Sequence, residues 1–191
     1  MKYVSIDIET CGLDPETCDI LEFGAVLDDL TDRRPINILP KFHCYFVLPE
    51  YRGQPFALSM HPKIFRRIAD REDGYTYVSP TRFGNMFKKF LSENGYEIKN
   101  DRVTINAAGK NFGAFDLQFL NKQTDLAKHV KIRHKILDPA MLYLKYGDNS
   151  LPGLSECKRR ANMQEEVAHD AVADAIDVVK LLREELQHTF G

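Results

Sequence analysis

The sequence predicts an α/β fold in which helices flank a mixed five-stranded sheet. Three β-like segments come first, at residues 2–9, 20–30 and 41–49, each rich in β-branched and aromatic residues and bounded by Asp, Gly or Pro. After residue 80, strand patterns alternate with helix patterns. Consecutive strands favour antiparallel hairpins and alternation favours crossover helices, so the two patterns together indicate a sheet of mixed direction.

The second half of the chain supplies the remaining predicted elements. They are a helix at about 81–94, a strand at 102–106, a helix starting near "FDLQFLNK", a strand at 134–138 and two closing helices. Between the halves, 51–79 carries Pro, Gly and Arg and is expected to be irregular, apart from one short helix around "PKIFRRIA". We interpret 1–191 as one domain, with 51–79 as a substrate loop.

The composition is that of a globular protein in water. Hydrophobic residues make up 43% of the chain and charged residues 28%. No apolar run approaches the roughly 18 residues of a membrane span, and the N-terminus opens into a strand pattern with no signal segment. The sequence therefore predicts a cytoplasmic protein without a membrane partner.

Charge and cysteine content narrow the function further. The formal net charge is −2, which argues against a protein that coats nucleic acid through a broad basic face but allows one that grips a single chain end. The four cysteines show no CxxC pairing, so reduced thiols are expected and a zinc site is not.

The opening strand carries two acids in an otherwise apolar segment, "KYVSIDIETCGLD". Strand alternation places Asp7 and Glu9 on one face, while Val4, Ile6 and Ile8 line the other. Two carboxylates roughly 6.5–7 Å apart on a half-buried strand repel each other unless a cation neutralises them. A hard divalent ion such as Mg²⁺ or Mn²⁺ suits oxygen ligands. The alternative is a solvated strand end, where acids are common.

Three further polar groups lie beside apolar patterns later in the chain. Asp116 follows a Gly-containing loop where a helix begins, and an N-cap role is its alternative. Asp174 aligns with Val178 and Leu181 on an apolar stripe of the last helix, so its carboxylate is expected to point inward. His169 falls just before that helix, where it could lean over the same site or be structural.

The stretches "DIET", "FDLQFL" and "HDAVADA" resemble, in order and type, the three exonuclease motifs of the DEDDh family in the ribonuclease-H-like superfamily. That family includes the proofreading subunit of bacterial replicative polymerases, oligoribonuclease and ribonuclease T. The resemblance spans residues 4–179. Two features depart from it: the lead-in "NAAGKNFGAFD" is longer than is typical, and 51–79 matches no close family counterpart.

The resemblance implies phosphodiester hydrolysis with two Mg²⁺ or Mn²⁺ ions. Asp7, as the central acid, is the expected bridging ligand. Glu9 and Asp174 would complete the ion that activates water, and Asp116 would hold the ion at the leaving group. His169 is the implied general base, since an unperturbed imidazole titrates near pH 6.5.

Substrate contacts are expected near the turn "ETCGLD", which in similar enzymes abuts the terminal base. Thr10 and Leu13 are the candidates there, with core packing as the alternative for Leu13. Side chains that could stack on bases, with core packing as the alternative, are Phe23, Phe46, Phe65 and Phe115. The basic run 158–160, close in sequence to His169, is the candidate phosphate path.

The predicted function is a 3′-to-5′ exonuclease that acts on single-stranded 3′ ends and releases nucleoside 5′-monophosphates, with DNA favoured over RNA. One alternative is an exoribonuclease acting on RNA ends or oligoribonucleotides. A second is an inactive nucleic-acid-binding or polymerase-docking module. The expected partners are single-stranded DNA or RNA 3′ ends. A polymerase or other replication protein and a second copy of the chain, forming a homodimer, are partners that the resemblance allows.

Overall fold

A computed structural model describes residues 1–32, 34–163 and 170–190. Its strands are β1 (Lys2–Thr10), β2 (Ile20–Asp29), β3 (Lys41–Phe46), β4 (Tyr77–Val78), β5 (Ile98–Lys99), β6 (Arg102–Ile105), β7 (Ala107–Ala108) and β8 (Val130–Ile132). Its α-helices are α1 (Pro55–Met60), α2 (Pro62–Asp70), α3 (Pro80–Glu93), α4 (Asp116–Gln123), α5 (Leu126–His129), α6 (Leu154–Arg160) and α7 (Ala171–Phe190). Short 3₁₀ turns lie at Ile36–Ile38 and Pro139–Met141.

The main sheet has five strands in the order β4-β3-β2-β1-β7. The three long strands pair antiparallel, as expected for hairpins, whereas β4 joins β3 and β7 joins β1 in parallel. Helices cover both faces, so the predicted mixed five-stranded sheet flanked by helices is confirmed.

A second, three-stranded sheet has the order β5-β6-β8 and was not predicted. The segment expected as one strand at 102–106 divides between the two sheets, because β6 pairs with β8 while β7 pairs with β1. The strand expected at 134–138 forms only one bridge, Ala108 to Leu137. Since β7 has only two residues, it offers the following segment little backbone to pair with.

The two faces of the main sheet bury different partners. On one face, Phe23 packs against Phe83 and Phe87 of α3. The centroid of its ring lies 4.7 Å from that of Phe83 and 5.0 Å from that of Phe87. On the other face, Tyr3 and Val26 pack against α7. This second face is the one that carries Asp7 and Glu9, since side chains alternate along β1.

Helix α7 approaches the sheet closely at its first turn. A Cβ added to Gly24 on β2 would lie 2.3 Å from the backbone carbon of Ala171. The Ser5 hydroxyl on β1 donates to the Ala175 carbonyl oxygen at 2.8 Å. These contacts hold the start of α7, and with it Asp174, beside the carboxyl end of β1.

The segment between β3 and α3 is more ordered than its sequence indicates. It holds α1, α2 and β4, and both helices begin with a proline, whose missing N–H costs nothing in a first turn. The segment is tied to the β1–β2 turn by Arg52, whose backbone N–H and guanidinium both donate to the Asp19 carboxylate. Among the described helices, none is long and apolar enough to cross a membrane.

Candidate active site

Three carboxylates converge at the carboxyl end of β1. One ligand oxygen from each of Asp7, Glu9 and Asp174 lies within 4.8 Å of the others. Alternation along β1 brings the first two to one face, and the close packing of α7 on Gly24 brings the third. An all-oxygen donor set at this separation fits a hard divalent cation, and Mg²⁺ and Mn²⁺ are such ions.

Asp116 joins this cluster from a third element. It is the first residue of α4 and is buried, and its Oδ1 accepts the backbone N–H of Ile8 on β1 at 3.2 Å. The N-cap position of α4 is Phe115, so Asp116 does not have the N-cap role considered as its alternative. Its carboxylate is instead bonded to the backbone of Ile8, the residue between Asp7 and Glu9 on β1.

Burial and mutual repulsion raise the pKa of the clustered acids. Desolvation raises the pKa of Asp7 well above its ordinary range, and the charges of Asp116, Glu9 and Asp174 raise it further. Desolvation is also the main cause that raises the pKa of Glu9 to about 8 and that of Asp116 to about 7. Without a cation the cluster therefore retains protons near neutral pH, and a bound cation would take their place.

Comparison with known proteins identifies the fold. No family model matches the chain. No curated protein sequence matches it. A solved structure of zinc-bound E. coli ExoI in complex with ssDNA is similar, with a TM-score of 0.61 and 15% sequence identity. The fold is ribonuclease-H-like. The match covers 98% of this chain and 40% of the ExoI chain, so this chain spans less than half the length of its structural neighbour.

The histidine of the third sequence motif, His169, lies outside the described residues. The residue that follows it is described: the Asp170 carboxylate accepts the Ala173 N–H at 3.0 Å and caps the start of α7. Asp174, in the first turn of α7, belongs to the carboxylate cluster, so the start of this helix lies beside that cluster.

Glu22 is a fifth acid at the site that the sequence interpretation missed. It lies on β2 directly opposite Glu9, is 1% exposed, and after desolvation is the largest cause that raises the pKa of Glu9. Its Oε1 lies 2.6 Å from His43 Nε2, which gives this buried carboxylate a partner. The sequence does contain a signal for Glu22, because this acid interrupts the apolar run of β2 just as Asp7 interrupts that of β1.

His61 is a second group that the sequence interpretation missed. It stands between α1 and α2 and is 6% exposed, and its Nε2 lies 3.6 Å from Glu9 Oε2. It belongs to the segment 51–79, for which the sequence predicts no motif and no contact with the acids. Only the folding of α1 and α2 over the sheet brings it there.

The candidate substrate residues lie in different environments. Thr10 is buried, and its hydroxyl donates to the Gly12 carbonyl at 2.7 Å, so it holds the turn after β1. Leu13 is 75% exposed in that turn, which excludes the core-packing alternative. Phe115 is half-buried and packs on Phe119 with ring centroids 5.1 Å apart. The other aromatic candidates divide between core positions, Phe23 and Phe46, and the partly buried Phe65.

The basic run 158–160 is engaged by carboxylates. Lys158 is buried and donates to Asp177, while Arg159 donates to Glu156. Arg160 bonds both Glu156 and Asp148. The run therefore does not form the open phosphate path expected from the sequence.

Proposed function

We propose that this protein is a metal-dependent 3′-to-5′ exonuclease that hydrolyses single-stranded 3′ ends to nucleoside 5′-monophosphates, with DNA favoured. The observation that carries the proposal is the convergence of Asp7, Glu9 and Asp174, joined by Asp116. Buried like charges oppose folding unless they hold a cation, so a module that only binds or docks has no use for them. The ribonuclease-H-like neighbour, a nuclease in complex with ssDNA, supports a nucleic acid as the substrate.

The acids of the cluster have distinct proposed roles. Asp7 would bridge two Mg²⁺ or Mn²⁺ ions, because it lies close to both Glu9 on β1 and Asp116 on α4. Glu9 and Asp174 would complete one ion, and Asp116 would hold the other. When bound, such ions supply an activated water and stabilise charge on the leaving 3′ oxygen. The four acids lie on three separate elements, β1, α4 and α7, so the fold itself sets the relative positions of their carboxylates.

The remaining roles concern the proton and the terminal nucleotide. We assign His169 as the general base, because neutral imidazole accepts a proton near physiological pH. Leu13 is assigned to the terminal base, since it projects from the turn directly after the ligand strand. Thr10 supports the shape of that turn, and Phe115 lies next to Asp116 at the start of α4.

The test is a degradation assay with single-stranded DNA and RNA oligonucleotides of one sequence, labelled at the 5′ end. We expect a ladder of products shortened from the 3′ end in Mg²⁺ or Mn²⁺, no products in EDTA, and faster shortening of the DNA. Asp7→Asn should abolish shortening, because the amide removes the central negative ligand. Asp73→Asn, which changes an exposed acid, is the matched control and should leave the rate unchanged.

Three outcomes would contradict parts of this proposal. Turnover retained in Asp7→Asn would refute the assigned ligand set. Faster shortening of RNA would favour the exoribonuclease. Binding without hydrolysis of either strand, in every metal tested, would support an inactive binding module and overturn the enzymatic assignment.

A further inference from the structure

A groove of 820 Å³ lies at the edge of the main sheet, between β4 and α3, away from the carboxylate cluster. Three cationic side chains, Arg71, Arg82 and Lys89, line it. Its wall also includes Tyr77 and polar residues at the start of α3. The groove therefore combines positive charge, hydrogen-bonding groups and one aromatic ring.

The positive charge of the groove is largely unneutralised. Within residues 1–32, 34–163 and 170–190, neither Arg71 nor Arg82 forms an ion pair with a carboxylate; Arg71 instead lies 5.1 Å above the Tyr77 ring. Lys89 pairs with Glu93 at 3.8 Å, but both side chains are exposed, so water screens this pair. The acid in the wall, Asp125, already accepts the Gly84 N–H at 2.6 Å and lies 3.3 Å from His129.

The register of the sheet links the groove to the carboxylate cluster. Glu9 pairs with Glu22, Glu22 with Tyr45, and Tyr45 with Tyr77 on successive strands. Directly paired residues project to the same face, and strands lie roughly 4.7–4.9 Å apart, so Tyr77 stands about 14 Å from Glu9 across the sheet. Helix α3, which supplies much of the groove wall, packs on the opposite face, so a strand whose end lies at the cluster reaches the groove by passing around the edge strand β4.

Helix α2 covers this interval. It starts after His61, which contacts Glu9, and ends before Arg71, which lines the groove. Its solvent side carries Lys63 and Arg66, both exposed. Three carboxylates lie at the end of the helix or just after it, those of Asp70, Glu72 and Asp73. None of the three lines the groove.

We propose that this groove binds the sugar–phosphate backbone of a single-stranded nucleic acid whose 3′ end occupies the Asp7 cluster. The inference rests on the proposed exonuclease function and adds the path of the strand away from the cut bond. Guanidinium groups bind phosphate oxygens through two parallel hydrogen bonds, which suits Arg71 and Arg82.

The experiment compares the parent protein with Arg71→Ala/Arg82→Ala. Binding of a fluorescent oligothymidylate of about twelve nucleotides is measured in EDTA over a series of salt concentrations. We expect about tenfold weaker binding and a slope of log affinity against log salt that is smaller by about 1.4, since each lost phosphate contact on a single strand contributes about 0.7. Hydrolysis of a dinucleotide, which is too short to reach the groove, should stay at the parental rate.

The matched control is Lys99→Ala/Arg102→Ala, which removes the same charge from the three-stranded sheet, outside the groove. It should bind the oligonucleotide like the parent. Arg82→Ala alone, at an exposed position, is the second variant if the double variant does not fold, and it should reduce the slope by about 0.7.

Each result decides between the two proposals. One outcome is that the parent shortens DNA while the groove variants bind the oligonucleotide with the parental affinity and the parental salt slope. In that case the groove assignment is wrong and the exonuclease proposal stands. Equal losses in the groove and control variants would show general electrostatic attraction and also overturn the groove. A parent that neither binds nor shortens any strand would refute both proposals.

Discussion

At the scale of single residues, protonation and cation binding compete for the same carboxylate oxygens. Glu9 has a pKa raised to about 8 and Asp116 one raised to about 7, in both cases chiefly because burial disfavours the charged form. In the unfolded chain both return to about 4. The folded protein therefore binds more protons than the unfolded chain between these values, and its stability falls as pH rises through that window.

This linkage gives a measurable pH dependence. In EDTA, the melting temperature should fall between about pH 5 and pH 8, because the folded carboxylates lose their protons over that range. Mn²⁺ should reduce the fall, since the cation replaces the protons as neutralising charge. The measurement is a thermal melt at a series of pH values with and without the metal.

A variant tests whether the cluster causes this effect. In Asp7→Asn, one repelling charge near Glu9 and Asp116 is gone, so the fall with pH should be shallower and Mn²⁺ should have less effect. A parental melting temperature that rises from pH 5 to pH 8 in EDTA would contradict the raised pKa values.

The sequence was most informative where a residue interrupts a pattern. Asp7 and Glu9 could be placed on one face because alternation along a strand needs no knowledge of the rest of the chain. Glu22 could have been found by the same rule. His61 could not, because its contact with Glu9 depends on how α1 and α2 fold over the sheet, and nothing local encodes that packing.

At the scale of elements, the position of α7 against β2 decides whether Asp174 reaches the cluster. Gly24 permits this approach, since an added Cβ would lie 2.3 Å from the Ala171 backbone carbon and 2.4 Å from the Val172 nitrogen. Backbone atoms cannot rotate away as a flexible side chain could. A side chain at residue 24 must therefore displace the start of the helix or the strand.

Gly24→Ala should accordingly destabilise the protein by about 1–3 kcal/mol, the usual cost of overpacking, and should also strongly reduce hydrolysis by moving Asp174. Urea unfolding and the oligonucleotide assay measure the two effects. Gly153→Ala is the control, because a Cβ there meets no atom within 4 Å. Parental stability and activity in Gly24→Ala would show that the helix can shift without moving the carboxylate.

Strand prediction shows the limit of local patterns at this scale. The long strands β1, β2 and β3 have the alternation and turn residues that identify them, and their predicted bounds lie close to those observed. The segment 102–108 divides between two sheets at Asn106, whose carbonyl accepts the Val4 N–H and whose side chain donates to the Lys2 carbonyl. Those partners are about a hundred residues away, so the sequence near Asn106 gives no sign of the division.

At the scale of the whole molecule, the distribution of charge limits the phosphate contacts that the proposed exonuclease can make. The formal net charge is −2, and the basic run at 158–160 is engaged by carboxylates. In the part of the chain that the structure describes, the groove residues Arg71 and Arg82 are cations without a carboxylate partner. A few phosphate contacts of this kind fix the position of a strand but release few counterions.

So small a set of contacts is insufficient to open a duplex, because each base-pair step costs about 1.4 kcal/mol of stacking to separate. We expect a 5′-labelled single strand to be shortened from its 3′ end much faster than the same strand in a blunt duplex. A circular single strand should remain intact, since it offers no 3′ end to the Asp7 cluster. The measurement is the initial rate on the three substrates at one salt concentration. Faster shortening in the duplex would mean that the protein gains from paired DNA a binding energy that phosphate contacts of Arg71 and Arg82 do not explain. Cutting of the circle would show endonuclease activity. The carboxylate cluster would then act on internal bonds, and the exposed Leu13 turn beside it could not be what selects a strand terminus.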